Sequence, residues 1–283
     1  MDMSSSSQVR NDVPYILAHS EREIARLKHQ ADIINPITKR ILLSAGIGSG
    51  MRVLDVGCGG GDVTCLVSEM VGNKGRVVGV DRSPEAVDAA RRRAAAHSLH
   101  NVSFLEGDPA MLAFDRPFDA VIGRYVLMFQ SNPTIMLRAL VRHLQPGGLI
   151  VFHEPDWAGC TSSPPAPIYD QCCRWIVETF RRCGIETRMG IKLESAFRAA
   201  GLAAPAMHLE AVVGGTRGGS DWLHQTVELV ATMLPDMEKQ GVVTAAEVDI
   251  DTLEERMQHE IATDSVIVSR FEVGAWSHIA PMH

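Results

Sequence analysis

The sequence has no stretch of about 18 consecutive apolar residues, so no segment of it reads as a membrane-spanning helix. Positive charge is in deficit. With 34 acidic residues against 27 lysines and arginines, the formal charge is −7, which argues against a nucleic-acid backbone as partner. The basic triplet Arg91-Arg92-Arg93 sits in an alanine-rich helical pattern and reads as a solvated face. No CxxC pair occurs among the cysteines at 58, 65, 160, 172, 173 and 183, and the opening MDMSSSSQVRND is short, polar and not amphipathic. Reduced thiols, a cytoplasmic location and a loose N-terminal tail are the expectation. Metal-ligand spacing is missing too: His97 and His100 have no carboxylate or cysteine at ligand distance in sequence, and adjacent Cys172-Cys173 cannot readily chelate one ion together. There is no internal repeat.

What remains is an ordinary globular composition, 46% hydrophobic and 22% charged, on a chain of 283 residues that suits one large α/β unit with insertions. Ser20-Glu21-Arg22-Glu23 reads as a capping box, which predicts a helix over 21–34; Asn35-Pro36 then predicts a fresh start, and Gly46 a stop. From Met51 the pattern turns to short β-branched runs with room for one helix between each: MRVLDV, RVVGVD, NVSFLEG, FDAVIG and LIVFHE. That alternation predicts a Rossmann-like, doubly wound α/β sheet, mostly parallel, with an antiparallel last strand. Gly72, Ser83-Pro84, Asn132-Pro133 and Gln145-Pro146-Gly147-Gly148 punctuate it. Further on, IYDQCCRWIVETFRRCG and KLESAFRAAGL read as helices, MHLEAVV as a strand, 215–264 as a mostly helical insertion, and SVIVSRF as the final strand. The chain accordingly divides into a helical lid segment (1–46), a ligand-binding core (47–154), and a remainder (155–283) that completes the sheet and caps it through about 155–190 and 215–264.

In VLDVGCGGGD, Val53 to Asp62, an acid near the end of a strand precedes a turn stripped of side chains. Glycines at 57, 59 and 61 let the backbone approach a ligand at the carboxyl end of the strand, where the next helix presents its free amides. The spacing is G-x-G-x-G rather than the dinucleotide G-x-G-x-x-G, and Asp55 would repel a pyrophosphate while suiting an ammonium or sulfonium centre. Asp81, closing VVGVD, is placed to accept from both hydroxyls of a ribose, and Asp108, in FLEGD, from an exocyclic adenine amine. Three acids at neighbouring strand ends outline an adenosine with a cationic amino-acid arm.

Over residues 51–154 the sequence resembles the class I S-adenosylmethionine-dependent methyltransferases, in particular their quinone and natural-product branch, through VLDVGCGGGD, VVGVDRSPEAV, FLEGD, FDAVIGRYVLMF and LQPGGLIVF. The resemblance implies S-adenosyl-L-methionine as cofactor and S-adenosyl-L-homocysteine as product. Asp55, Gly57, Gly59 and Gly61 would hold the methionyl part and Asp81 the ribose. Asp108 with Gly107 would hold the adenine edge, Arg82 would flank the ring, and the chain near Arg124 would meet the amino end. One position departs from the family pattern: the residue that normally offers its N–H to the purine is Pro109, which has none, so that contact falls to Ala110 or to water.

Methyl transfer asks chiefly for alignment and exclusion of water, and a base only where the acceptor must lose a proton. His153 and Glu154, in VFHEPDW, are the candidate bases; the alternatives are a core histidine and a structural tie. Tyr125, Met128, Asp156, Trp157 and Tyr169 are candidates to line the acceptor cavity, while Tyr15 and His19 would close over the cofactor and acceptor from the N-terminal helices. The expectation is a methyltransferase acting on a small, partly apolar molecule; the alternative is a non-methylating catalyst of cyclase type or a ligand sensor on the same fold. The 215–264 insertion reads equally as lid or as homodimer interface.

Overall fold

A computed structural model describes residues 21–215, 220–261 and 265–280. The chain opens with α1 (Glu21–Ala45) and then alternates β1 (Arg52–Val56), α2 (Asp62–Val71), β2 (Arg76–Asp81), α3 (Pro84–Ala96), β3 (Val102–Glu106), β4 (Phe118–Arg124), α4 (Pro133–Val141) and β5 (Leu144–Asp156). There follow β6 (Thr161–Ser163), α5 (Pro167–Arg182), α6 (Met189–Ala199), β7 (Ala206–Glu210) and β8 (Val213–Gly214). Next come α7 (Ser220–Lys239), α8 (Ala245–Val248), α9 (Ile250–Ile261), β9 (Val266–Val268) and β10 (Phe271–His278).

Seven strands form the main sheet in the order β3-β2-β1-β4-β5-β10-β7, the first five parallel and β10 antiparallel to both neighbours. The order reverses direction between β1 and β4, which makes the carboxyl tips of those strands the switch point of a doubly wound fold. The helices start where the sequence signals them: Ser83 and Asn132 accept the amides of Ala86 and Ile135, with proline in the first turn behind each. A second, three-stranded sheet has the order β6-β9-β8; α5, α7 and α9 pack on one another, α7 also packs on α1, and α5 on β6. No helix among the described residues is long and apolar enough to cross a membrane.

Two expectations need correction, and a third falls outside the described residues. The two N-terminal helices are one, because Asn35-Pro36 lies inside α1 and the Thr38 hydroxyl caps the Ile34 carbonyl across the region of the proline. Ser20, the start of the expected capping box, lies outside the described residues. SVIVSRF does not form the last strand of the main sheet: its VIV joins the small sheet as β9, and the antiparallel strand is the following segment, β10.

α1 lies directly on the sheet, and the closeness of that contact depends on Gly274 in β10, where any β-carbon would collide with the Ile41 side chain. Substitution Gly274→Ala is therefore expected to cost about 1–3 kcal/mol through overpacking, lowering the thermal midpoint by roughly 2–4 °C per kcal/mol. Calorimetry checks this, and an unchanged midpoint would refute the packing of α1 on β10.

Candidate functional site at the strand tips

A cavity of about 630 Å3 opens above the carboxyl ends of the central strands, within the range typical of small-molecule sites. Strand order gives it two ends. Gly57, Gly59, Asp81, Arg82, Ser83 and Pro109 line the end over β1, β2 and β3; Tyr125, Met128, Phe129, Trp157, Phe180 and Arg270 line the end over β4, β5 and β10. Arg26 and Gln30 from α1 and Leu229 from α7 complete the wall.

At the first end the glycine turn is left-handed at three positions, with φ of +65° at Gly57, +51° at Gly59 and +83° at Gly61. These glycines do different jobs. A methyl group at 57 would sit 2.7 Å from Val126 Cγ2, and one at 61 would sit 2.9 Å from Ala90 Cβ, so both serve close packing. A methyl at 59 would meet nothing within 4 Å, and that is where the backbone borders the cavity. Asp81 ties the turn in place: Oδ2 accepts the Gly59 N–H at 2.8 Å and Oδ1 the Ser83 N–H at 2.9 Å. Asp55 is buried behind the turn, accepting the Thr64 hydroxyl at 2.6 Å. Burial pushes its carboxyl up to about 7, against the Thr64 bond and the nearby Arg124 cation, which pull it down.

Asp108 does not border the cavity; it pairs with Arg82 at 2.7 Å and accepts the Ala110 N–H at 2.8 Å. Ala110, expected as a substitute donor to a purine, therefore has its N–H already engaged. Pro109 does border the cavity, and its carbonyl oxygen lies 2.9 Å from His143 Nε2. Gly107, at φ +146°, donates its N–H to the Asp81 carbonyl and so joins the β2 and β3 tips. Arg124 donates to Asn35 Oδ1 at 2.8 Å and to Thr38 Oγ1 at 3.0 Å, which pins α1 over the strand tips.

At the second end the candidate bases do not reach the cavity. Glu154 is fully buried, and its carboxylate accepts three successive backbone N–H groups, Val126 at 2.8 Å, Leu127 at 2.7 Å and Met128 at 3.3 Å. That bracing holds Tyr125 at φ +57°, a left-handed conformation that costs a non-glycine residue about 1 kcal/mol or more. His153 is buried between Thr38 Oγ1 (3.1 Å from Nδ1) and Glu272 Oε2 (2.9 Å from Nε2), and burial keeps its pKa below the usual imidazole value. Beside the ionised Glu272, the tautomer that fits is Nε2–H donating to Glu272, which leaves Nδ1 to share the single Thr38 hydroxyl proton with the Ile34 carbonyl. Asp156 pairs with Arg188 at 2.6 Å and caps Ala158. Tyr169 is buried away from the cavity, donating to the Val268 carbonyl at 2.7 Å and accepting from Trp222 Nε1 at 3.1 Å, so it ties α5 to the small sheet. Tyr125, Met128 and Trp157 do line the cavity, whereas Tyr15 and His19 lie outside the described residues.

Sequence reasoning missed Arg270 and Glu272, both almost fully buried and facing each other at 3.0 Å. The signal was present as two opposite charges in an otherwise apolar run, SVIVSRFEVGAW. Glu272 Oε2 accepts the Tyr125 hydroxyl at 2.7 Å, and that hydroxyl accepts from Arg270 Nη2 at 3.0 Å. The Arg270 cation, outweighing the cost of burial together with His153 and Tyr125, holds the Glu272 carboxyl below its ordinary value.

The Glu154 brace is testable by denaturation. Glu154→Ala leaves three buried N–H groups without partners and is expected to destabilise the fold by about 3 kcal/mol or more. Burial raises the Glu154 carboxyl from 4.5 to about 8, so its contribution is fully present below pH 4.5 and is lost as pH rises toward 8. Glu154→Gln, which does not ionise, should flatten that part of the stability profile.

Residues 47–184, just under half of the chain, match the sequence model of a family described as "Methyltransferase domain". The demethylmenaquinone methyltransferase of Staphylococcus saprophyticus is 36% identical over 135 residues, which are 47% of this chain and 54% of that one. That of Staphylococcus aureus is 35% identical over 134 residues, 47% of this chain and 52% of that one. The chain thus spans about half the length of the curated relatives it matches. In fold it is similar to a putative methyltransferase from Bacillus halodurans (TM-score 0.54, 17% identity, covering 86% of this chain and 98% of that one). It is also similar to the [4+2]-cyclase SpnF (TM-score 0.52, 21% identity, covering 88% and 81%). The left-handed glycine turn, the acid at the β2 tip and the seven-strand order with its antiparallel β10 agree with these matches, and residues 47–184 match a methyltransferase domain.

Proposed function

We propose that the whole chain is an S-adenosylmethionine-dependent methyltransferase whose acceptor is a small, largely apolar molecule enclosed under α1, α5 and α7. The observation that carries this reading is the single cavity with two chemically different ends, acids and bare backbone over β1 and β2, aromatic and thioether side chains over β4 and β5. S-adenosylmethionine, when bound, supplies a methyl group on a sulfonium centre that needs no further activation. Asp81 fits its ribose: with one N–H on each oxygen, the carboxylate keeps lone pairs for two hydroxyls. Arg82 and Pro109 would flank the adenine, Asp108 would fix both of them in place, and Gly59 with Arg124 would border the methionyl arm. Asp55 supplies negative charge behind that arm.

Alignment and dryness supply the rest. α7 packs against α1, α5 and α9, which supports a lid role for the 215–264 insertion over a homodimer interface. The six cysteines are all free, in keeping with a reducing, cytoplasmic setting. The acidic balance speaks against a nucleic-acid acceptor.

Because a similar fold occurs in the [4+2]-cyclase SpnF, the decisive experiment follows the methyl group itself. Label from methyl-labelled S-adenosylmethionine should appear in an apolar acceptor; label in no product across a broad panel would refute the reading. Asp81→Ala should weaken cofactor binding about 10- to 100-fold, the loss expected for hydrogen bonds to a charged acceptor. Asp55, held near pH 7, gives a second check. A cationic ligand beside it favours the carboxylate, so binding should release a proton below about pH 7, and affinity should rise with pH up to that point. Calorimetry in buffers of different ionisation enthalpy measures the release, which Asp55→Asn should abolish.

A further inference from the structure

We propose that Arg270 selects the acceptor, and that the class it selects is an apolar or aromatic molecule bearing an acidic oxygen, bound as its phenolate, enolate or carboxylate anion. The inference rests on the reading that the end of the cavity over β4, β5 and β10 receives the acceptor.

Arg270 is 3% exposed yet belongs to the cavity wall. Its guanidinium carbon lies 5.2 Å from the Tyr125 ring, 5.0 Å from Trp157 and 5.1 Å from Trp222, a three-sided aromatic cage drawn from β4, β5 and α7. Such a group has five N–H donors in a planar fork, and among the described residues one hydrogen bond uses them, from Nη2 to the Tyr125 hydroxyl. Even the ion pair is incomplete: Nε and Glu272 Oε1 face each other at 3.0 Å, but neither makes a hydrogen bond. Glu272 gives its other oxygen to Tyr125 and His153, so the guanidinium has charge balance without saturation of its donors. A desolvated cation with undonated N–H groups at a cavity wall is an anion-binding element, strengthened by the low local dielectric.

The neighbourhood favours the same sign. Arg124 also approaches the Tyr125 ring, with its guanidinium carbon 5.7 Å from the centroid, so a second cation adds to the positive potential around the phenol. Glu272 is fully buried and engaged by Arg270, Tyr125 and His153, which leaves an ammonium in the cavity no carboxylate to meet at this end. The turn that carries Tyr125 is held in its strained conformation by Glu154, so the phenol's direction is imposed by the fold.

This assignment explains how transfer proceeds without His153 or Glu154 in the cavity. The guanidinium lowers the pKa of the acceptor's hydroxyl, and the proton leaves to solvent as the anion binds. The acceptor's oxygen lone pair then forms the bond to the methyl carbon while the carbon–sulfur bond breaks onto sulfur; the anion and the sulfonium charge cancel, giving a methyl ether or ester and a thioether.

The test uses the full chain saturated with S-adenosylhomocysteine and three probes of one frame: 2-naphthoate, 2-naphthol and 2-naphthylmethylamine, titrated by tryptophan fluorescence and by calorimetry. The wild type should bind 2-naphthoate at least tenfold more tightly than the ammonium probe, and 2-naphthol with an apparent pKa below its value in water. Arg270→Met combined with Glu272→Gln removes both charges together and should erase the preference; Arg270→Lys, which keeps the charge but loses the fork, should reduce it several-fold. Equal binding of the two charged probes by the wild type, no binding of naphthoate at millimolar concentration, or a preference that survives in either variant would overturn the proposal. Failure to bind S-adenosylhomocysteine would instead sink the functional reading on which it stands, so the two failures are distinguishable.

Discussion

One buried carboxyl group, that of Glu154, sets the geometry of the cavity's end over β4, β5 and β10. Its position at the end of β5 lets it accept three successive N–H groups of the turn after β4, groups that would otherwise be orphaned where strand hydrogen bonding stops. Three hydrogen bonds outweigh the cost of a left-handed Tyr125, and the strained tyrosine then carries its hydroxyl to Glu272 on the neighbouring antiparallel strand and to Arg270 just before it. Without the brace, the phenol would have no fixed direction and the arginine cage would lose one of its three walls.

The same end of the sheet concentrates buried titratable groups: Arg270 just before β10 and Glu272 on it, His153 and Glu154 on β5, with Arg124 half-buried at the β4 tip. Burying ion pairs is a poor source of stability, because desolvation cancels much of the attraction. A cluster of this kind at strand tips, bordering a cavity, therefore has a positional use. It ties β4, β5 and β10 to α1 through Arg124 and Thr38, so the helix that roofs the cavity and the strands that floor it share one hydrogen-bond network. The end over β1, β2 and β3 is built on the opposite plan, with little buried charge beyond Asp55 and with bare backbone in left-handed turns held by Asp81.

Much of this architecture was readable from local pattern. The first five strands, the caps at Ser83 and Asn132 and the glycine turn declare themselves through residue types whose preferences act over four or five positions. Legibility fell off where distant groups decide. Pro36 signals a helix break on its own, yet the packing of Ile34, Ile37 and Ile41 on the sheet keeps α1 continuous through it. Phe271–His278 did not read as a central strand because Glu272 interrupts it, and that acid is tolerated only because Arg270, Tyr125 and His153 converge on it from three elements. His153 and Glu154 looked like free functional groups in VFHEPDW; their partners lie at Thr38, at 126–128 and at Glu272.

By itself, then, the sequence determined the doubly wound α/β plan and the glycine-and-acid end of the cavity, since each rests on a strand, the turn behind it and the helix that follows. Only the tertiary structure decided which side chains meet at the other end: that Glu154 serves the backbone, that Arg270 and Glu272 enter the cavity wall, and that α1, α5 and α7 close above it. The physical reason is range. Turn chemistry and capping act between near neighbours in the chain, whereas Glu154 finds its partners 26–28 positions away and Glu272 meets Tyr125 and His153 across more than a hundred.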